Sequence, residues 1–108
     1  MIPAERALDA LGDPTRRQIF KRLRQGARSV GELAKGLEVS RPAVSQHLKV
    51  LKEARLVDVR TEGTRHLYAV DSRGIEAVRG WLDEFWEQAL AAFKGEAERE
   101  AAKERKPR

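Results

Sequence analysis

The segment Ser40-Arg41-Pro42-Ala43-Val44-Ser45-Gln46-His47-Leu48-Lys49-Val50-Leu51-Lys52-Glu53-Ala54 carries a clear helix pattern. Ser40 is a favourable N-cap because its hydroxyl can accept a hydrogen bond from an amide of the first turn, and Pro42 lies where a missing N–H costs nothing. At about 100° per residue, one apolar stripe is formed by Val44, Leu48 and Leu51. The sequence therefore predicts an amphipathic helix beginning at Ser40.

The other side of this helix is polar. It holds Arg41, Pro42, Ser45, Gln46, Lys49, Lys52 and Glu53. Cationic, hydroxyl and amide groups together can hydrogen-bond phosphate oxygens and base edges in a DNA major groove. A solvated surface helix has the same pattern, so this helix alone leaves both interpretations open.

Length and charge set the class of protein. A chain of 108 residues predicts a single domain with a modest core, which pairing with a second copy would help to stabilise. The 22 Lys and Arg residues outnumber the 17 Asp and Glu residues, giving a net charge of +5. This excess favours a polyanionic partner, with nucleic acid, a membrane surface and an acidic protein all open.

Several classes of protein are disfavoured by what the sequence lacks. It has no Cys, which excludes disulfides, thiolate metal sites and Cys nucleophiles. No apolar run approaches the roughly 20 residues of a membrane span, and residues 1–6 do not resemble a signal peptide. No nucleophile and base form a recognisable constellation, and there is no Gly-rich phosphate loop. We therefore expect a cytoplasmic protein without cofactor, metal or catalytic site.

Two helices are predicted before position 26. Residues 4–11 carry Ala and Leu at helical spacing and are closed by Gly12, after which Asp13 caps a second helix with Pro14 in its first turn. The buried stripe of this second helix comprises Ile19, Phe20 and Leu23. Most of the basic residues along it are expected to be solvated, with a few able to touch a phosphate: Arg16, Arg17, Lys21, Arg22, Arg24 and Arg28.

A helix-turn-helix motif follows. Ser29 and Glu32 have the spacing of a capping box, which predicts a helix of about two turns. Residues 36–39 then turn the chain into the helix at Ser40. In such a motif the second helix can enter the major groove of DNA.

A β-hairpin comes next, because the hydrophobic pattern changes to a period of two over residues 56–61 and again over 65–70. Gly63 supplies the turn between the two runs. Arg60 and Arg65 lie close to its tip, which matches a basic wing that reaches phosphates or the minor groove.

The last helix is long and aromatic. Its apolar positions recur at spacings of three and four from Ile75 to Phe93, more than a small core can cover. We infer a homodimer in which this helix packs against its symmetry mate and the N-terminal helix. The predicted interface comprises Leu8, Leu11, Val78, Trp81, Leu82, Phe85, Trp86, Ala89 and Phe93.

The predicted fold class is mainly α, or α+β: a winged helix-turn-helix with a two-stranded β-hairpin wing and a long C-terminal dimerisation helix. Residues 1–95 are expected to form the DNA-binding and dimerisation domain. Residues 96–108 are expected to be a charged tail that frays near Lys106-Pro107-Arg108.

The segments Leu11-Gly12-Asp13-Pro14-Thr15-Arg16-Arg17 and Ser40 to Leu51 closely resemble the ArsR-type winged-helix repressors of bacteria, over roughly residues 4 to 93. The resemblance implies a dimeric transcriptional repressor that binds an inverted repeat in its own or a neighbouring promoter and releases it on a signal. No residue pattern here identifies that signal.

Metal sensing, known for many members of this family, is not expected in this chain. Gly31-Glu32-Leu33-Ala34-Lys35 stands where the thiolates would be, and the terminal helix has no His. Its carboxylates Asp83, Glu84 and Glu87 could bind a hard cation, although exposed acidic residues are more often simply solvated.

The candidate DNA contacts divide into two groups. Ser45, Gln46 and Arg41 are predicted at base edges, with Arg favouring guanine and Gln favouring adenine. Phosphate contacts are predicted for Ser40, Lys49, Arg60 and Arg65.

Two further residues of the predicted helix that begins at Ser40 belong to the candidate interface. Pro42 shares the polar arc of the helix. His47 lies at the border of the buried stripe, where it either packs internally or reaches a phosphate. The alternative function is a winged-helix protein-interaction module that does not bind DNA.

Overall fold

A computed structural model describes residues 3–104. Within them the elements, in chain order, are α1 (Ala4–Ala10), α2 (Pro14–Leu23), α3 (Val30–Ala34), α4 (Arg41–Glu53), β1 (Val57–Glu62), β2 (Arg65–Val70) and α5 (Ser72–Glu104). Residues up to Val78 form one compact unit, and the rest of α5 from Arg79 forms a second. The order of helices, helix-turn-helix, hairpin and long terminal helix is the predicted one.

The helix starts follow the predicted capping residues. The Asp13 side chain accepts hydrogen bonds from the amides of Thr15 at 2.7 Å and Arg16 at 3.2 Å. The Ser29 and Glu32 capping box is present, with both of its hydrogen bonds at 3.2 Å. Ser40 Oγ accepts from the amide of Ala43 at 3.2 Å, so α4 begins as the sequence predicts.

The core of the first unit lies between α1, α2, α3, α4 and the start of the hairpin. Val44, Leu48 and Leu51 of α4 are completely buried, which confirms the predicted apolar stripe. The other buried members of the cluster are Ala7, Ala10, Ile19, Leu23, Leu33, Ala54, Leu56 and Val57. The polar side of α4 is consequently left at the surface.

The hairpin pairs β1 with β2 in antiparallel register from Val57 opposite Val70 to Glu62 opposite Arg65. Its two-residue turn begins at Gly63, whose φ of +61° is the left-handed conformation that glycine adopts without strain. The sequence did not predict the bridge that fixes the hairpin to the helices. Arg28 and Tyr68 exchange two backbone hydrogen bonds, at 2.9 and 2.8 Å.

The end of α4 also differs from what the sequence suggests. Arg55 adopts a φ of +61° although it is not glycine. The amide of Leu56 donates to the carbonyl oxygen of Leu51 at 2.9 Å, and the Arg55 amide donates to Lys52 at 3.0 Å. These two bonds form a Schellman motif, which ends α4 and turns the chain into β1.

Three arginines of α2 cap the carbonyl ends of neighbouring helices. Arg16 and Arg22 are half-buried, while Arg17 stays exposed as predicted. Arg16 Nε donates to Ala10 O at 2.6 Å. Arg17 Nη1 donates to Leu11 O at 3.0 Å. Arg22 Nη1 donates to the carbonyl oxygens of Leu33 and Lys35, at the end of α3. These last carbonyls of a helix lack intrahelical partners, so a guanidinium fork nearby satisfies them.

Helix α5 runs to Glu104 and so includes residues 96–104 of the charged segment. Ala, Glu, Arg and Lys are all strong helix formers, which is why the helix continues there. The fraying expected near Lys106-Pro107-Arg108 falls outside the described residues. None of the helices within residues 3–104 is long and apolar enough to cross a membrane.

Candidate nucleic-acid interface

The solvent-facing side of α4 presents most of the predicted base and phosphate contacts together. Arg41, Pro42, Ser45, Gln46 and Lys49 are all exposed on this one helix. Ser40, at its N-terminus, is exposed as well and caps the helix through its hydroxyl. The buried stripe of α4 fixes which side of the helix turns outward, so these side chains share a surface of defined orientation.

His47 differs from its neighbours because it is half-buried. The pKa of Asp13 is lowered mainly by the hydrogen bond from the Arg16 amide, and the charges of Arg16 and His47 add to this. His47 thus lies at the border between the core and the polar surface, the position its spacing predicts.

The hairpin places its two predicted phosphate contacts at the surface. Arg60 and Arg65 are both exposed, and a Cβ added at Gly63 would meet no atom within 4 Å, so the turn is open to solvent. Arg60 Nη2 lies 3.8 Å from Glu62 Oε1 on the same strand. Arg65 Nη2 lies 2.7 Å from Oε1 of Glu32, at the start of α3.

A shallow groove joins the wing to the helix-turn-helix. Its basic lining consists of Lys35, Arg41, Arg65 and His66, and its remaining lining consists of Ser29, Val30, Gly31 and Glu32. Arg41 crosses α3 closely enough that a Cβ at Gly31 would lie 3.2 Å from its Nη2 atom. Arg41 of α4 and Arg65 of β2 therefore belong to one surface, which also includes Lys35 and His66, two residues that sequence reasoning did not select.

Glu32 is the acidic residue of this groove. The hydrogen bond from the Ser29 amide lowers the pKa of Glu32 most, and the Ser29 hydroxyl and the charge of Arg65 lower it further. Glu32 is therefore ionised at neutral pH. The sequence identified it as a helix cap, and its second contact, with Arg65, depends on the fold.

The second unit carries an exposed apolar face. The exposed large apolar residues of this part of α5 are Trp81, Leu82, Phe85, Trp86, Leu90 and Phe93, of which Phe93 is 71% and Trp86 63% exposed. The rings of Trp81 and Phe85 stack with centroids 5.8 Å apart. Ala89, also in the predicted interface, is exposed.

The remaining predicted interface residues lie in the first unit. Leu8, Leu11 and Val78 are half-buried. Leu11 and Val78 pack against the chain's own core, so only part of their surface is open to a partner. Within residues 3–104 no group of three or more acidic or His side chains is arranged to hold a metal ion.

Comparison with known proteins identifies relatives of this fold. Residues 13–59, from the cap of α2 to the middle of β1, match the family described as bacterial regulatory protein, arsR family. The chain is 57% identical over 89 residues to the HTH-type transcriptional regulator Rv2034 of Mycobacterium tuberculosis, a match covering 82% of this chain and 83% of that protein. It is 30% identical over 76 residues to the transcriptional repressor SdpR of Bacillus subtilis, covering 70% and 84%.

Solved structures give the same family. The chain is similar to an ArsR-like transcriptional regulator from Rhodococcus sp. RHA1, with a TM-score of 0.73 and 30% identity over 87% of this chain and 92% of that one. The fold, the matched helix-turn-helix and these relatives agree with each other. The chain therefore belongs to the arsR family of bacterial regulatory proteins, as a DNA-binding transcriptional regulator rather than an enzyme.

Proposed function

We propose that this protein is a cytoplasmic, homodimeric transcriptional repressor that binds a two-fold symmetric operator in double-stranded DNA, in its own promoter or a neighbouring one. The observation that carries the proposal is the exposed polar side of α4, which holds Ser45, Gln46 and Lys49, together with the groove in which Arg41 of α4 and Arg65 of the wing lie. A similar protein, SdpR, is named a repressor.

Dimerisation is supported by the apolar face of α5. Six large apolar side chains between Trp81 and Phe93 are exposed in the single chain. Contiguous apolar surface of this kind marks contact sites in soluble proteins, and a second copy of the same helix offers the matching surface. In the dimer we propose, half-buried Leu8, Leu11 and Val78 complete the interface with Ala89.

The proposed dimer explains the form of the operator. Two recognition helices related by a two-fold axis contact half-sites about one helical turn of DNA apart, roughly 34 Å, so the operator is an inverted repeat. Ser45, Gln46 and Arg41 read base edges in the major groove. Ser40, Lys49, Arg60 and Arg65 hold phosphates, with Pro42 beside them on the same face, and His47 keeps its position at the border.

The domain roles follow the helix-turn-helix and the terminal helix. We assign residues 1–95 to DNA binding and dimerisation together. Residues 96–104 follow the aromatic face along α5, and residues 96–108 are assigned to a charged C-terminal segment outside this domain.

The test is binding of the purified chain to the region upstream of its own gene. We expect a footprint with two-fold symmetry, a particle mass of two chains in light scattering, and an affinity that falls steeply with salt. Transcription from that promoter should fall when the protein is added.

Other outcomes would contradict the proposal. If the chain lacked salt-dependent affinity for DNA, the alternative function, a protein-interaction module, would be favoured instead. A rise in transcription would exclude repression, and a single-chain mass on the DNA would exclude the dimer.

A further inference from the structure

Each of the two predicted wing arginines forms an ion pair, and the shorter one joins Arg65 to the carboxylate of Glu32. Its Oε1 atom lies 2.7 Å from Arg65 Nη2 and accepts the Ser29 amide at 3.2 Å. Another acidic residue, Glu62, lies directly opposite Arg65 in the hairpin and is much closer to it in sequence than Glu32 is. Glu62 has its contact with Arg60, at 3.8 Å, while Arg65 pairs with a residue 33 positions away.

This ion pair lies where it can exchange partners. The side chains of Arg65 and Glu32 are 59% and 43% exposed. Ion pairs this open to solvent contribute little to stability, so the fold does not depend on this one. A carboxylate and a phosphate oxygen make the same kind of charge-assisted hydrogen bond to a guanidinium, so Glu32 occupies the position that a phosphate would take on Nη2.

The surroundings of the pair point to a phosphate as the competing group. Lys35, Arg41 and His66 line the same groove, and Glu32 is its one acidic lining residue among those described. A DNA backbone passing from the N-terminus of α4 to the wing would approach Arg65 and Glu32 together. There the carboxylate neutralises the arginine that would hold the phosphate.

We propose that Glu32 limits DNA affinity by competing with a backbone phosphate for the guanidinium of Arg65. The inference rests on the proposed function and deepens it. Phosphate contacts carry no direct sequence information, so this competition lowers the affinity for operator and for random DNA by the same factor. Glu32 thus acts through Arg65, and it lowers the affinity of the wing for any DNA duplex.

The experiment uses Glu32→Gln in the full chain. Gln is accepted at this position of a capping box, so the substitution removes the charge and keeps the cap of α3. Affinity is measured over a range of salt concentrations on two duplexes of equal length, one from the upstream region and one of random sequence. Thermal unfolding checks that the variant is folded.

We expect Glu32→Gln to tighten binding to both duplexes by roughly 5- to 10-fold for each wing at about 0.1 M salt, and to steepen the salt slope by about 0.9 for each wing. In an Arg65→Ala background the same substitution should have little effect. Glu38→Gln is the matched control, because it removes an equal charge from an exposed position in the turn between α3 and α4 that belongs to neither ion pair of the wing arginines, and its gain should be clearly smaller.

Three results would overturn the inference alone: unchanged or weaker binding by Glu32→Gln, an equal gain from Glu38→Gln, or the full gain persisting without Arg65. Absence of salt-dependent DNA binding by the unaltered chain would instead overturn the proposed function itself, and the inference with it.

Discussion

The amide nitrogen of Gly74 lies 2.8 Å from the carbonyl oxygen of Arg55, so the first turn of α5 is hydrogen-bonded to the residue that ends α4. The two backbones approach so closely that a Cβ at Gly74 would lie 2.6 Å from this oxygen and 2.8 Å from that of Ala54. Gly74 is buried, and glycine is the only residue type that leaves room for this contact.

Gly74→Ala should therefore lower the free energy of unfolding by about 2 kcal/mol, because backbone atoms must move to admit the methyl group. Urea unfolding at fixed chain concentration measures the change. Gly80→Ala is the control in the same helix, since a Cβ there meets nothing within 4 Å, and it should stabilise the protein by up to about 1 kcal/mol. Equal effects of the two substitutions would contradict the close approach.

Arg55→Gly should stabilise the protein by about 1 kcal/mol, because Arg55 holds a left-handed conformation that glycine adopts without a Cβ penalty. Thermal and urea unfolding would both report the gain. Arg55→Ala removes the same charge but keeps the Cβ, so it should give no such gain. A matching gain from Arg55→Ala would assign the effect to charge instead of backbone conformation.

Gln46→Ala should reduce the preference for operator over random DNA and weaken operator binding by about 1–3 kcal/mol, because Gln46 is proposed to read a base edge. Lys49→Ala should weaken both duplexes similarly and flatten the salt dependence by about one contact per chain. Competition binding at several salt concentrations separates the two patterns. Equal losses on both duplexes for Gln46→Ala would refute the base contact.

Trp86→Glu should convert the protein to single chains, because it places a charge in the exposed aromatic face of α5 that we propose pairs with its copy. Light scattering over a concentration series gives the mass. Ala91→Glu is the control, since it adds the same charge at an exposed position on the side of the helix away from the aromatic face. If the Trp86→Glu variant formed dimers with an unchanged dissociation constant, the interface would have to lie elsewhere.

The protein should lose stability in acid through three capping carboxylates. In each of them a hydrogen bond to the ionised carboxylate lowers the pKa. The donor is the Arg73 side chain for Asp71, the Arg16 amide for Asp13 and the Ser29 amide for Glu32. A folded-state pKa below the unfolded one means that the unfolded chain binds more protons. The stabilisation is complete above the unfolded pKa values and is lost as pH falls from about 5 through the folded ones.

Urea midpoints measured between pH 7 and pH 3 would show this fall. Asp71→Asn should make the fall smaller, because the Asp71 side chain is only 9% exposed and forms a 2.7 Å ion pair with Arg73. Asp83→Asn, in the exposed part of α5, is the charge-matched control. If Asp83→Asn reduced the loss of stability in acid as much as Asp71→Asn does, the assignment of this loss to the Asp71 carboxylate would be wrong.

The sequence was sufficient for features that depend on neighbouring residues. The caps at Ser29 and Ser40 and the turn at Gly63 are local, because each involves groups within a few positions. The outward face of α4 followed from its apolar period, and with it the candidate DNA contacts.

Features that depend on the tertiary fold were not predictable in this way. The left-handed Arg55 looks like an ordinary surface residue in sequence, and the room at Gly74 exists only after α5 has reached α4. The Arg28 and Tyr68 bridge joins positions 40 apart, and the Glu32 and Arg65 contact joins positions 33 apart. No periodicity or motif encodes such pairs, so they emerge only from the packed structure.

The hairpin has a consequence for how this protein stays in solution. Strand β1 pairs with β2 alone in the described part of the chain, which leaves its outer edge without a partner strand. Such an edge invites edge-to-edge aggregation unless it is short or charged. The alternate positions of β1 hold Asp58, Arg60 and Glu62 along only six residues, so stacking wings into a fibril would bring like charges together. Arg60, the phosphate contact proposed on β1, is thus also one of three charges that oppose amyloid-like growth along this edge.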